Sequence, residues 1–388
     1  MKILIVSDTY YPHVNGSSYF CQRLATGLKK RGHDVRVLAP SRRFTFESYL
    51  HDDIRIYGLP SISVLSHGYR FSPPFFQKRR IEQILNEFKP DVIHCNSHFS
   101  PNTVIIPIAK KLHIPMVASN HFVPENLLPY IGSSKIITKV LHRAMWKSWS
   151  KIYHQFDAVT SANETAANII RPHLSGKTVT VISNGINTLR FHPHQYIAKL
   201  QSRLKRKANI PAILCVGRLD REKHVHILIE AMKKVIETQP CHLYIAGKGV
   251  DQDHLKQLTK DLSLENSVTF LSFVSDEDLP ILYNSVDCYA IASIAELQSI
   301  STLEAMASGL PVVAARAMAL PELVKDGVNG YMFEPDDSND CATMLLKVLS
   351  DDSERKSMGQ RSLEIAKQHD SERSFDSYQR LYTSVIAG

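Results

Sequence analysis

The stretch AILCVGRLDREKHVHILIEAM, residues 212–232, runs from an apolar segment through a charged loop into a helical pattern. A nearly continuous apolar strand followed by a helix is the unit of a parallel sheet covered on both faces. The unit recurs downstream in CHLYIAG (241–247), SVTFLS (267–272), DCYAIAS (287–293), PVVAA (311–315) and GYMFEP (330–335). Upstream it occurs as KILIVSD (2–8) with a helix from about Gly16 to Arg31, then DVRVLAP (34–40), DVIHCN (91–96), PMVASN (115–120) and FDAVTSA (156–162). Two such series predict an α/β chain of two doubly wound, Rossmann-like domains. No short fixed period appears, which argues against a solenoid.

The 388 residues suit two domains of roughly 100–200 residues each. Between the two series, residues 186–208 carry Pro193 and basic runs in place of a strand. The predicted division is therefore an N-terminal domain over 1–190, a C-terminal domain over 191–370 and a terminal helix over 371–388. That helix has Tyr378, Leu381 and Val385 on one face and is expected to dock back on the N-terminal domain.

With 44% apolar and 22% charged residues, the chain has a globular composition rather than a disordered one. No segment reaches the roughly 18 apolar residues of a spanning helix, and the apolar run before Asp8 is too short for a secretory signal. Cys21, Cys95, Cys215, Cys241, Cys288 and Cys341 lie far apart without a C-x-x-C, so buried thiols in a reducing cytoplasm are expected. The net charge of +8 is unevenly spread. Residues 1–190 carry 24 basic against 11 acidic residues, and residues 191–388 carry 22 against 27. A one-sided positive field attracts a membrane, nucleic acid or phosphorylated ligands.

Doubly wound sheets bind ligands at the C-terminal ends of their strands, so the loops there are the candidate sites. Gly16 opens a helix after the first strand, where backbone can approach a phosphate or sugar; G-x-G-x-x-G is absent. Arg218 and Lys223 precede a helix and could hold a diphosphate, or else form a solvated loop partnered by Glu222. His121 follows a strand end and could point into a cleft. Glu296 and Glu304, on one helix, would sit about 80° apart, poorly placed to share a proton. The alternative puts Glu296 in the loop after DCYAIAS and Glu304 about a turn inside a helix starting near Ser299, each holding a different part of one extended ligand. Asp251 and Asp253 form a D-x-D, but aspartate is common at a helix start for capping reasons, and no metal site is expected.

Taken together, GRLDREK (217–223), AELQSISTLEAMASGLPVVAA (295–315), SNGIN (183–187) and PELVKDGVNGYMFEP (321–335) resemble glycosyltransferase family 4, the group 1 retaining glycosyltransferases of GT-B fold. The resemblance covers nearly the whole chain. It implies two Rossmann-like domains facing across a cleft, a nucleotide-sugar donor and no metal cofactor. It implies that Arg218 and Lys223 hold the donor diphosphate, Glu296 the sugar hydroxyls and Glu304 the ribose. Gly16 would lie near the diphosphate and acceptor, His121 near the transferred sugar, and the nucleobase by the Val274 backbone. Ser299 and Ile300 complete the donor set. The chain departs from the family at Ser17, where many members have a second glycine, and at Ser183–Asn187, where many read Pro-Asn-Gly-x-Asp.

For the acceptor, residues 135–156 are the most informative. Lys135, Lys139, Arg143, Lys147 and Lys151 recur every four residues, Ile137, Val140, Leu141, Met145, Trp149 and Ile152 follow helical apolar spacing, and both tryptophans, Trp146 and Trp149, lie here. A basic amphipathic helix with interfacial aromatics reads as a surface for anionic membrane; the bland reading is a core-facing helix with solvated lysines. SDTYYPHVNGSS (7–18) also resembles the start of diacylglycerol glucosyltransferases and phosphatidylinositol mannosyltransferases. The expectation is a lipid acceptor, a UDP-glucose-like donor with GDP-mannose as the alternative, and peripheral attachment to the inner face of the cell membrane. A soluble acceptor and a nucleotide-sugar epimerase are the competing readings. Nucleic acid is not expected as a partner, since no recognised module accompanies the basic helix.

Overall fold

The computed structural model describes residues 1–11, 16–63, 70–126, 135–193 and 210–388. It separates into two compact units, Met1–Asn184 with Glu372–Gly388, and Gly185–Ser371. Most of the predicted boundary segment, from residue 194 on, lies outside the described residues. Within the second unit, the Ile186 N–H donates to the His369 carbonyl at 2.8 Å and the Ser371 N–H to the Ile186 carbonyl at 2.9 Å. The outgoing and returning chains are thereby tied to each other.

The first unit is built on eight strands: β1 Lys2–Val6, β2 Asp34–Pro40, β3 Glu47–His51, β4 Ile54–Leu59, β7 Val92–Cys95, β8 Met116–Asn120, β9 Ala158–Ser161 and β10 Val179–Val181. A separate hairpin pairs β5 Ile62–Ser63 with β6 Arg70–Phe71. The sheet runs β10-β9-β8-β7-β1-β2-β4-β3 and is parallel except where β3 meets β4. Ile3, Leu4, Ile5 and Val6 are all fully buried, as a central parallel strand covered on both faces demands.

The second unit carries β11 Ala212–Val216, β12 His242–Ala246, β13 Val268–Ser272, β14 Cys288–Ile291, β15 Val312–Ala315 and β16 Gly330–Phe333. They are ordered β13-β12-β11-β14-β15-β16 and all parallel. The order reverses beside β11. The loops after β11 and β14 diverge there, leaving the crevice in which such sheets take ligands.

The terminal helix Ser371–Ala387 belongs, from Glu372 on, to the first unit. Phe375, Tyr378 and Tyr382 are buried in a cluster with Ile3, Ile5, Phe20 and Leu24, and Leu381 and Val385 pack on its margin. Gly27 admits the helix: a Cβ there would stand 2.3 Å from the Phe375 ring. Tyr382 and Tyr378 also close a buried polar chain. The Tyr382 hydroxyl lies 2.5 Å from His94 Nδ1, His94 Nε2 lies 2.8 Å from Ser119 Oγ, and Ser119 Oγ lies 3.0 Å from the Tyr378 hydroxyl.

The basic helix spans Lys135–Tyr153 and corrects one expectation. Trp146 and Trp149 are 6% and 1% exposed, so neither can be an interfacial aromatic. Trp146 stacks on His173 with ring centroids 3.7 Å apart, and its indole N–H donates to Glu125 Oε1 at 3.1 Å. Trp149 stacks on Tyr153 at 4.0 Å and donates to Asn120 Oδ1 at 3.2 Å. The C-terminal half of the helix is thus anchored in the unit. In the N-terminal half, Ile136, Ile137, Val140 and Leu141 are exposed, at 77% and 63% for Ile136 and Val140, beside exposed Lys139 and Arg143. Periodicity alone could not tell which half is held.

Because both tryptophans lie in the first unit, indole fluorescence reports its unfolding alone. Tyr378→Ala should destabilise that transition by about 3–5 kcal/mol, as for other large aromatic truncations. Tyr378→Phe should cost about 1 kcal/mol for the hydroxyl's hydrogen bonds. Urea denaturation followed by tryptophan emission measures both; equal midpoints for wild type and Tyr378→Ala would refute this docking.

Candidate functional site

In the second unit the side chains singled out in the sequence meet along the C-terminal edge of the sheet. Arg218 follows β11 directly. A short turn of 3-10 helix, Arg221–Lys223, then delivers Lys223 before the helix Val225–Thr238 begins. Glu296 lies in the loop after β14, and Ser299 caps the helix Ile300–Ala307 by accepting from the Thr302 N–H at 3.3 Å. Glu304 sits inside that helix and accepts from the Tyr283 hydroxyl at 3.0 Å. The two glutamates are therefore a loop group and a helix group.

Lys223 Nζ lies 2.6 Å from Glu296 Oε1, across the reversal point. The two loops are also joined through backbone, since the Ile294 N–H and the Ser293 hydroxyl both donate to the Glu222 carbonyl, at 3.2 and 3.4 Å. Burial pushes the Glu296 carboxyl up, but Lys223, the Ser293 hydroxyl and Arg218 outweigh it and hold it below the ordinary carboxylate range. Glu296 is therefore an ionised, acceptor-only group at neutral pH. Arg218 is not a bare cation: its guanidinium pairs with Asp220 and, at 3.0 Å, with Glu222. The partnered-loop reading of Arg218 is thus realised in the structure.

The loop after β12 presses against this site. A Cβ on Gly247, whose φ is +145°, would stand 1.8 Å from the Gly217 carbonyl oxygen, so only glycine lets these loops touch. Gly217 opens GRLDREK and Gly247 ends CHLYIAG, but nothing in either stretch announces their contact. Val274 lies in the loop after β13, half-buried against the core. Asp251 immediately precedes the helix Gln252–Asp261 and approaches His254 at 3.3 Å.

In the first unit, Gly16 is the first residue of the helix Gly16–Lys30, and a Cβ there would meet nothing within 4 Å. Among the described residues, no packing reason requires glycine. His121 follows β8 with its ring 4.6 Å from Phe20 of that helix, and its Nε2 is buried without a partner among the described residues. Burial lowers its pKa to about 4, so the imidazole is neutral at pH 7.

Several residues not singled out in the sequence surround the same strand ends. Asp8 follows β1, with Ser97 as a hydrogen-bond partner, and burial pushes its carboxyl up to about 6. Asp8 Oδ1, Asn96 Oδ1, His98 Nδ1, Asn120 Nδ2 and the Tyr153 hydroxyl are buried without partners among the described residues. The His98 and Tyr153 rings stand 5.8 Å apart. The only signal for them in the sequence is their place at or just after apolar strands, apart from Tyr153, which ends the helix Lys135–Tyr153.

Residues 14–190 match the family described as Glycosyltransferase Family 4, and residues 197–364 match Glycosyl transferases group 1. The chain belongs to this family and is a glycosyltransferase of GT-B fold. It is 31% identical to an uncharacterized glycosyltransferase of Methanocaldococcus jannaschii, over 90% of each chain. It is 25% identical to an alpha-monoglucosyldiacylglycerol synthase of Streptococcus pneumoniae, over 97% of this chain and 85% of that one. In fold it is similar to HepE of Anabaena, solved in complex with UDP and glucose. That match has a TM-score of 0.80 and 23% identity, covering 99% of this chain and 100% of the other.

The buried histidines set the acid response. His94, His98 and His121 are held by burial at about 3, 4 and 4, against 6.5 in an unfolded chain. Below pH 6.5 the unfolded chain takes up protons that the native fold refuses, so stability falls as pH falls from 6.5 toward 4. Asp8, raised from 3.8 to about 6, acts in the opposite sense but is one group against three. Tryptophan-detected melting should give a first-unit Tm that is level near pH 7 and decreases steadily to pH 5. A Tm unchanged over that range would refute the neutral, buried state of these rings.

Proposed function

We propose that this glycosyltransferase moves a hexose, with retention of anomeric configuration, from a nucleoside diphosphate sugar to a membrane glycerolipid. The observation that carries the donor half is the Lys223–Glu296 pair at the reversal point, with Arg218 on the same loop. The edge from Val274 after β13 to Glu296 after β14 crosses three strand spacings, roughly 14 Å, enough for an extended nucleotide sugar. In this scheme the nucleobase lies against the Val274 backbone and the ribose against Glu304, oriented by Tyr283. The diphosphate takes Lys223 and Arg218, the latter exchanging its carboxylate partners for phosphate oxygens. Glu296, Ser299 and Ile300 border the sugar. In the first unit, Gly16 opens its helix with bare backbone, which suits a ligand approaching there.

As the bond from the anomeric carbon to the phosphate oxygen breaks, its electron pair stays on the diphosphate. Lys223 and Arg218 stabilise that developing charge. The acceptor oxygen bonds to the same face of the carbon, and its proton passes to the departing phosphate oxygen. In the first unit, neutral His121 offers an uncharged, unpartnered ring nitrogen suited to a hydroxyl. The unpartnered atoms of Asp8, His98 and Tyr153 suit hydroxyl groups of a bound substrate, because buried polar groups are normally satisfied. UDP-glucose is the favoured donor; HepE, of the same fold, was solved with UDP and glucose.

Two surfaces of the first unit support a lipid acceptor and peripheral attachment to the inner face of the cell membrane. One is the solvent-exposed face of the basic helix, with Ile136, Ile137, Val140 and Leu141 beside Lys139 and Arg143, and Lys147 and Lys151 exposed further along. The other is the exposed trio Phe44, Phe75 and Phe76, with Phe75 92% exposed, in segments that also carry Arg42, Arg43, Lys78 and Arg79. Apolar side chains mixed with cations suit an anionic interface. The relative named as an alpha-monoglucosyldiacylglycerol synthase points the same way.

A panel of nucleotide sugars, scored by nucleoside diphosphate release with and without a lipid extract, tests the reading. Release should require a UDP-sugar and rise with diacylglycerol-containing lipid; release driven by a soluble sugar alone would indicate a soluble acceptor. Glu296→Gln should lower turnover roughly 10²-fold while leaving UDP affinity nearly unchanged. The intact chain should float with anionic vesicles, and Lys139, Arg143 and Lys147 together changed to Glu should stop it. Flotation insensitive to those changes would remove the helix from the membrane contact.

A further inference from the structure

We infer that His224, His226 and Asp336 form a binding site for a divalent transition-metal ion, with zinc as the best fit, beside the donor loop. Their ligand atoms all lie within 4.8 Å of one another, and His224 Nδ1 already stands 2.5 Å from Asp336 Oδ1. Two imidazoles and a carboxylate are the ligand types zinc takes, with bonds of about 2.0–2.2 Å. Tetrahedral ligands at that radius are about 3.4 Å apart, so the His224–Asp336 pair opens by roughly an ångström to admit the ion.

The backbone supports a built site rather than a chance contact. His224 has φ +46° and Asp336 has φ +63°, both left-handed conformations that side chains seldom adopt. His224 separates the turn carrying Lys223 from the helix Val225–Thr238, and Asp336 lies between β16 and the helix Ser338–Leu349. Each strained residue turns its side chain toward the other. Such outliers persist only where the surroundings impose them, and they cluster at functional sites.

The local charge is that of a cation site. His226 faces Glu230 one turn along its own helix, Asp336 from the loop after β16 and Asp251 from the loop after β12, with His224 as the opposing neighbour. Glu230, Asp251 or a solvent molecule completes the coordination. A bound ion would staple the connection after β11 to that after β16 and fix His224, the chain neighbour of Lys223. The ion takes no part in the transfer scheme, and the site lies wholly in the second unit, so it stands or falls independently of the acceptor.

The test uses the full chain, stripped with EDTA and titrated with zinc or cobalt(II) chloride by calorimetry and visible absorption. Expected are one ion per chain, the intense visible bands of four-coordinate cobalt, and a Tm a few degrees higher with zinc than with EDTA. His226→Gln and Asp336→Asn should each weaken binding at least tenfold and abolish the Tm shift. His224→Gly, which relieves the left-handed backbone while removing the imidazole, should do the same in a chain that folds normally in EDTA. His254→Gln, outside the trio, should bind as wild type does. Absence of the cobalt bands in the wild type, or binding that survives in His226→Gln and Asp336→Asn, would overturn the assignment.

Discussion

The ion pair between Lys223 and Glu296 bridges the one place where the second sheet turns back on its own strand order. A largely buried pair of charges is a weak source of stability, because desolvation offsets most of the attraction. Its consequence is geometric. Together with the bonds from Ser293 and Ile294 to the Glu222 carbonyl, it holds the loops after β11 and β14 at a fixed spacing. Gly247 lets the loop after β12 close against Gly217, and the capped helix Ile300–Ala307 carries Glu304 behind Glu296. The spacing of the loops along that edge of the sheet follows from this arrangement.

The two units solve opposite electrostatic problems. In the second, Lys223 and Arg218 are neutralised by Glu296, Asp220 and Glu222, so a phosphate must exchange partners rather than fill an empty positive hole. In the first, Asp8, Asn96, His98, Asn120, His121 and Tyr153 each leave a buried polar atom unmatched among the described residues. Desolvated groups of that kind cost about 1–3 kcal/mol apiece when left unmade. A ligand with several hydroxyls would satisfy them without bringing charge, whereas a second anion would meet Asp8.

Much of the fold was legible because parallel strands buried on both faces are written as apolar runs. The segments read as strands around Ile3, Val35, Ile93, Val117, Val159 and Ile213 all became strands. The antiparallel edge strand β3, Glu47–His51, was not legible: its side chains are largely exposed and its apolar content is low. The three-residue edge strand β10 was too short to register. The positions of Arg218, Lys223, Glu296 and Glu304 on loops and helix followed from strand ends. Their mutual pairing did not, since a sequence gives no distance between loops some 70 residues apart. The basic helix shows the same limit, because its spacing was right but did not say that Trp146, Trp149 and Tyr153 would be buried while Ile136 and Val140 stay exposed. Asp8 lies within SDTYYPHVNGSS and His98 just after DVIHCN, but neither stretch tells that they are buried, and His224 was not legible because one imidazole beside a lysine means nothing until Asp336 is folded against it.

The most direct measurement is a crystal structure of the full chain with UDP bound. The diphosphate should lie within hydrogen-bond distance of Lys223 Nζ and the Arg218 guanidinium, with Arg218 released from Asp220 and the ribose hydroxyls on Glu304. A diphosphate bound elsewhere, with the Arg218–Asp220 and Lys223–Glu296 pairs both intact, would contradict the account.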